Sequence, residues 1–141
     1  CIRDRGGTEQ AVVIYRDHFQ PSPILSEPHT MVSATVIAGE TTEEANYLSG
    51  PQRLRKFGMR TGRLLPLYSP DAAAAHPQFE AACQMPSNTI AGTADEVVDQ
   101  LASLAEATEA AELILSVPTH DLPPRLATIE GVAAAWARHE R

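Results

Sequence analysis

Apolar and polar positions follow recognisable periods along this chain, most clearly from Ile90 to Val117. Val97, Leu101 and Leu104, with Val98 and Ala105 beside them, recur at i, i+4 and i+7 and mark one face of an amphipathic helix. Gly92 permits a sharp turn, and Thr93 with Glu96 three residues on has the spacing of a capping box, so this helix is predicted to begin at Thr93. Leu113 to Val117 is an apolar run too short for a helix and too continuous for a half-exposed strand. It is predicted to be a strand covered on both faces, as in a parallel sheet flanked by helices.

The same reading extends over the rest of the chain. Thr8 to Phe19 places Val12, Tyr15 and Phe19 on one helical face and stops before Pro21. Thr30 to Ala38 is β-branched and small, a predicted strand with Val32, Ala34 and Val36 on one side, and Gly39 ends it. Thr41 and Glu44 repeat the capping-box spacing, so a helix starts near Thr42, with Gly50 and Pro51 expected to interrupt it before a further segment carrying Leu54 and Phe57. Residues 58–89 hold turn markers at Gly58, Gly62, Pro66, Pro70, Pro77 and Pro86 and read as a long insertion or mobile loop, with a helix possible over Asp71 to Cys83. A third strand is expected near Asn88 to Ala91. Pro123 to His139 forms a last helix with Leu126, Ile129, Val132, Ala133 and Trp136 on one face.

The order helix, strand, helix, insertion, helix, strand, helix indicates an α/β protein with parallel strands and helical crossovers. So few strands cannot close a barrel or cover their own edges, which reads as a piece of something larger. Composition narrows the classes. The 141 residues suffice for one domain, and 43% apolar content supports a core, although aromatic residues are only 5%. A net charge of -7 speaks against a nucleic-acid surface, and no apolar run approaches the ~20 residues of a membrane span. The stretch Cys1 to Gly7 begins without Met and lacks the apolar centre of a signal peptide, so what precedes Cys1 is expected to have been removed or to lie outside this sequence. Cys1 and Cys83 match no metal or redox spacing and read as reduced thiols of a cytoplasmic protein.

Certain residues then carry a resemblance. Tyr15-Arg16-x-x-Phe19-x-Pro21-Ser22, Ala38-Gly39-Glu40-Thr41-x-Glu43-Glu44-Ala45, Arg60-x-Gly62, Gly92-Thr93-x-x-Glu96-Val97, Glu112-Leu113 and His120-Asp121-x-x-x-Arg125-Leu126 occur in that order. The sequence resembles the C-terminal half of the luciferase-like flavin-dependent monooxygenases, from Thr8 to Trp136. Two departures stand out. Ala94 occupies a position where that family commonly has Pro, and Glu109-Ala110-Ala111-Glu112 replaces Gly-Ala-Asp-Glu, which removes a glycine from a helix end where a left-handed residue is usual.

The resemblance implies a fold and a chemistry. The fold would be the C-terminal half of a (β/α)8 TIM barrel spanning residues 1–141, with 58–89 as a mobile loop over substrate and flavin. The chemistry would use reduced FMN, supplied by a reductase, to oxidise a small organic substrate such as an aldehyde, ketone, alkane or sulfonate with O2, the protein supplying position and exclusion of water. In that family the catalytic histidines and most flavin contacts lie in the N-terminal half, so catalytic residues are not expected here and the chain alone should be inactive. The partners expected are the small-molecule substrate, flavin, and either a second copy or the missing half.

Three residues are candidates for binding. Arg60 and Arg63 flank Gly62 in a basic stretch with Arg53, Arg55 and Lys56, and a guanidinium suits bidentate capture of a phosphate or sulfonate; the same stretch also reads as a solvated helix end. His120, with Asp121 to fix its tautomer, follows the late strand at the end where barrel enzymes act. Equally, Asp121 could cap the last helix, with Arg125 pairing to Asp121 or Glu130. Arg16 beside Tyr15 reads as a tie to a neighbouring carboxylate. His18 is expected to be exposed; His29, His76 and His139 are isolated, and no metal site is expected. Ser22 and Ser69 lack a hydrolase context, and no dinucleotide or Walker loop occurs. A different class remains open: a non-catalytic half-barrel that pairs with itself or another chain.

Overall fold

The computed structural model describes residues 6–139. In chain order they form α1 (Gly6–Asp17), β1 (Met31–Ala38), α2 (Thr42–Arg60), α3 (Pro70–Ala74), α4 (Phe79–Gln84), β2 (Thr89–Gly92), α5 (Ala94–Thr108), β3 (Glu112–Ser116) and α6 (Leu122–His139). The Cys1 thiol lies outside the described residues, whereas Cys83 is a free, exposed thiol.

The sheet order corrects the expected half of a (β/α)8 barrel. In such a barrel each strand pairs with the next in chain order, so β2 would lie between β1 and β3. Here the order is β2-β1-β3, with β1 in the centre and parallel to both neighbours. The protein is a small α/β domain with a three-stranded parallel sheet and six helices among the described residues.

Alternation along β1 explains the layers. Val32, Ala34, Val36 and Ala38 are buried on one face, where Val97, Val98, Leu101 and Leu104 of α5 and Val132 and Ala135 of α6 cover them. On the opposite face α2 covers the end near Ile37, while Met31 and Ser33 remain exposed. The strand β3 is an exposed edge rather than a strand covered on both faces. Among the described residues β3 is the outer strand of the sheet, and α6 packs on β1 rather than over it, so its faces stay open.

The helix α2 runs unbroken through Gly50 and Pro51, where an interruption is expected from sequence. A proline costs the helix one hydrogen bond, but here Pro51 and Leu54 lie on a buried face that tertiary packing holds. What covers that face is the 58–89 segment. Instead of an irregular loop it contains α3 and α4, and Ala73, Ala82, Phe79, Leu65 and Tyr68 join Leu54 and Phe57 in a second small core. Ser69 accepts the Ala72 N–H as the cap of α3, and the Tyr47 hydroxyl donates to Asp71, tying α2 to α3. That hydrogen bond to Asp71, which ionisation of the phenol would forfeit, is the chief cause that pushes the Tyr47 hydroxyl above its usual pKa.

Two apolar faces sit differently from the periodicity. Tyr15 is exposed on α1 rather than buried, stacked edge-on against Phe19. The face of α6 that is buried contains Thr128, Val132 and Ala135, while Leu126 and Ile129 point outward.

Candidate functional site

The residues with chemistry to offer gather at the carboxyl edge of the sheet. Past Ala38, the Gly39 N–H donates to the Gly92 carbonyl at 3.1 Å, so β1 and β2 stay joined to their last residues. A side chain at position 39 would put its Cβ 2.8 Å from the Ala45 backbone nitrogen, which explains the glycine where the chain folds back into α2.

Two carboxylates order this edge. Thr41 caps α2 by accepting the Glu44 N–H, but the Glu44 carboxylate accepts the N–H of Glu40 at 2.7 Å. At α5 the box is complete: Thr93 accepts from the Glu96 N–H, and Glu96 Oε2 accepts the Thr93 N–H at 2.8 Å. The same Glu96 oxygen also accepts the Thr42 hydroxyl at 2.8 Å, linking the starts of α2 and α5. These donors, the Thr93 N–H first and Thr42 next, hold the Glu96 carboxyl below the usual carboxylate range.

The turn from β3 to α6 carries His120. Thr119 is buried and donates its hydroxyl to the Asp121 carbonyl at 2.9 Å, while Arg125 donates to the Thr119 carbonyl at 2.7 Å, so Arg125 binds backbone rather than a carboxylate. An N-cap side chain normally accepts the N–H of the second or third helical residue. In α6 those residues are Pro123 and Pro124, which have no N–H. The Asp121 carboxylate is therefore released from capping and lies 3.0 Å from His120 Nδ1. An ionised carboxylate only accepts, so the bond to Asp121 is made by a proton on Nδ1 of the exposed His120 ring and directs Nε2 away from Asp121.

Thr128 is the residue that periodicity misses. It is fully buried, accepts the Ala38 N–H and donates to the Ala38 carbonyl, both at 3.1 Å. The pairing of β1 with β3 ends at Thr35 and Ser116, and Thr128 takes over as the lateral partner beyond it. The one available signal is a hydroxyl residue on the same α6 face as Val132.

Arg60 and Arg63 are not brought to this edge. The α2 N-terminus meets Glu96 at the carboxyl edge, whereas Lys56, near its other end, donates to Asn88 and Thr89 at the start of β2. Nineteen residues make a helix about 28 Å long. Arg60 in its last turn and Arg63 just beyond, both exposed, thus sit at the opposite end of the sheet from His120. Among the described residues no group of three His, Cys, Asp or Glu is arranged to hold a metal ion, and no helix is long and apolar enough to cross a membrane.

No family model matches the chain. The uncharacterized protein YvbT of Bacillus subtilis (strain 168) is 31% identical over 133 residues, which are 92% of this chain and 40% of YvbT. The uncharacterized protein YddN of the same strain is 37% identical over 62 residues, 44% of this chain and 18% of YddN. Among solved structures, the crystal structure of apo-MsnO8 is similar with a TM-score of 0.78 and 29% identity, over 92% of this chain and 41% of MsnO8. The chain spans about two-fifths of the length of YvbT and of MsnO8.

Proposed function

We propose that this chain is a portion of a flavin-dependent monooxygenase of the luciferase-like kind, contributing His120 and its Asp121 partner to a site that oxidises a small organic substrate. What supports this reading is a convergence. The segments 38–45, 92–97 and 120–126, which carry the family resemblance and are far apart in sequence, meet at one edge of the sheet, where Gly39 and Glu44, Ala94, and Pro123 and Pro124 line one small cavity. The similarity to YvbT and MsnO8 runs through all three segments' share of the chain, and each of those proteins has further length to supply the rest of a site.

The residues present do not form a seat for the FMN phosphate. Glu44 and Glu96 already fill the N-termini of α2 and α5 with negative charge. Arg125 and Arg138, the guanidiniums near these helix starts among the described residues, are held by the Thr119 carbonyl and by Asp95. The phosphate would have to be bound by other parts of the longer protein. The role of this chain is then to hold His120 with its proton on Nδ1, and to close one wall of the site. Such a protein would work in the cytoplasm and without nucleic acid.

The test compares two titrations with FMN followed by flavin fluorescence. The 141-residue chain alone is expected to leave the fluorescence unchanged. A polypeptide of about the length of YvbT that carries this segment is expected to bind, and, with NADH and a flavin reductase, to consume O2 in response to substrate. Absence of flavin binding by the longer protein would overturn the reading.

A non-catalytic interaction module is the second reading, favoured by the acidic, self-capped carboxyl edge and by a β3 edge that no other strand pairs among the described residues.

A further inference from the structure

The turn between α3 and α4 sets the ring of His76 against a donor: the Gln78 N–H lies 3.2 Å from His76 Nδ1. A backbone N–H can only donate, so Nδ1 must keep its lone pair there. The rings of His18, His29 and His120 face oxygen acceptors instead, the Ile14 carbonyl, Glu112 and Asp121, and each of these partners suits a protonated ring. Sequence dictates the difference. Pro77 has no N–H, so the first amide beyond His76 that its side chain can accept is that of Gln78. The Gln78 side chain makes no capping bond to α4, which leaves the imidazole to help fix where that helix begins.

The backbone of His76 holds the same turn. Its N–H donates to the Ala73 carbonyl at 3.1 Å, closing α3, and its carbonyl accepts the Phe79 N–H at 2.9 Å, opening α4. Its ring lies 5.7 Å from that of Tyr68. What the turn positions is Phe79, which packs on the second core of Leu54, Ala73 and Ala82. The Phe79 ring reaches Gly50 so closely that a Cβ at position 50 would come within 3.1 Å of it. Beside Gly50, Pro51 gives α2 no N–H, so α4 covers the point at which α2 is least held by its own backbone.

We propose that His76 is an acid-operated latch: when its ring takes up a proton, α4 and Phe79 are released from Gly50 and Pro51 of α2. Imidazole is the side chain that gains its proton between about pH 5 and 8. A proton on Nδ1 sets two donors against each other, so the ring must turn away and give up both the Gln78 amide and its present contact with Tyr68. The open arrangement therefore binds more protons than the closed one, and opening is favoured as pH falls. No neighbouring carboxylate reverses that sign. Asp71 of α3 accepts the Tyr47 hydroxyl of α2, Glu80 of α4 is exposed, and neither is bonded to the His76 ring. Cys83 of α4 is exposed as well. The cations of α2 that follow Pro51, namely Arg53, Arg55 and Lys56, act in the same sense as the amide, and Lys56 is turned to Asn88 and Thr89. The latch is contained in residues 50–82 and stands independently of the flavin reading.

Amide exchange followed by NMR, corrected for the intrinsic rate at each pH, tests the latch. Protection at Ala82, whose N–H donates to the Gln78 carbonyl, is expected to fall about fivefold or more from about pH 7.5 to about pH 5.5, while protection at Val36 in β1 stays constant. His76→Asn retains a side-chain acceptor for the amide two residues on but does not titrate. In that variant the Ala82 protection is expected to be the same at both pH values. Wild-type protection at Ala82 that ignores pH, an equal fall in His76→Asn, or a parallel fall at Val36 would overturn the proposal.

Discussion

Glu109 is the non-glycine residue with positive φ among those described, at φ 46° and ψ 37°, where α5 turns toward β3. A left-handed conformation costs an L-residue about 1 kcal/mol or more, and the surroundings hold it there. Arg16 donates to the Glu109 carbonyl at 2.7 Å and also pairs with its carboxylate, which remains largely in solvent. An exposed pair adds only about 0.2–1 kcal/mol. Backbone conformation should therefore decide the outcome of substitution: Glu109→Gly is expected to be more stable than Glu109→Ala by about 1 kcal/mol in urea unfolding. Equal stability would mean that the helix end relaxes out of the left-handed region. Sequence disclosed the missing glycine and the tie between Arg16 and a carboxylate, but not which carboxylate, because that contact spans 93 positions.

Glu96 supplies the pH dependence that can be signed. Its folded pKa lies below the ordinary glutamate value of ~4.3. Its contribution is complete above that ordinary value and is lost as pH falls through the lower folded value, since protonation removes the acceptor for Thr93 and Thr42. The difference in urea midpoint between wild type and Glu96→Gln should accordingly be largest near neutrality and shrink in acid. A difference constant with pH would show that the carboxylate charge is not what joins α2 to α5. The capping half of this role was legible from the Thr93-x-x-Glu96 spacing; the hydroxyl of Thr42, 54 positions earlier, was not.

Among the elements, periodicity located the helices and the central strand but misjudged what packs on them. Local sequence marks Gly50-Pro51 as a break, yet α2 continues because α3 and α4 return to cover its buried face. The continuous apolar run in β3 signals a strand that tolerates burial; it says nothing about whether neighbours exist, and the sheet order leaves β3 outermost. Likewise α6 exposes Leu126 and Ile129 because its rotation is fixed by the bonds between Thr128 and Ala38 rather than by its widest apolar stripe. His120 and Asp121 were visible as a pair, whereas the separation of Arg60 and Arg63 from them depends on the direction of α2. Packing of the second core can be tested directly. Leu54 is fully buried there, so Leu54→Ala should destabilise the chain by about 3 kcal/mol in urea unfolding. A loss below 1 kcal/mol would indicate that α3 and α4 collapse onto the vacated space or never held the face firmly.

Over the whole molecule, protection should follow position in the sheet. The central strand β1 bonds to both neighbours and to Thr128, and its inward face is sealed by α5 and α6. Its amides can open only with the sheet itself. The helix α1 stands at the other extreme: Val13, Ile14 and Tyr15 are exposed, and its polar anchor is Arg16 on Glu109 at the far end of α5. A hydrogen bond from a charged group contributes about 1.5–3 kcal/mol, and α1 has little other packing to compensate. Replacing Arg16 by Ala should raise amide exchange across α1 by about tenfold or more while leaving Val32 to Ile37 unchanged. If exchange in β1 rose in parallel, α1 would belong to the same cooperative unit as the sheet, and its attachment would have to run through Val12 and the start of β1 rather than through the Arg16 contact.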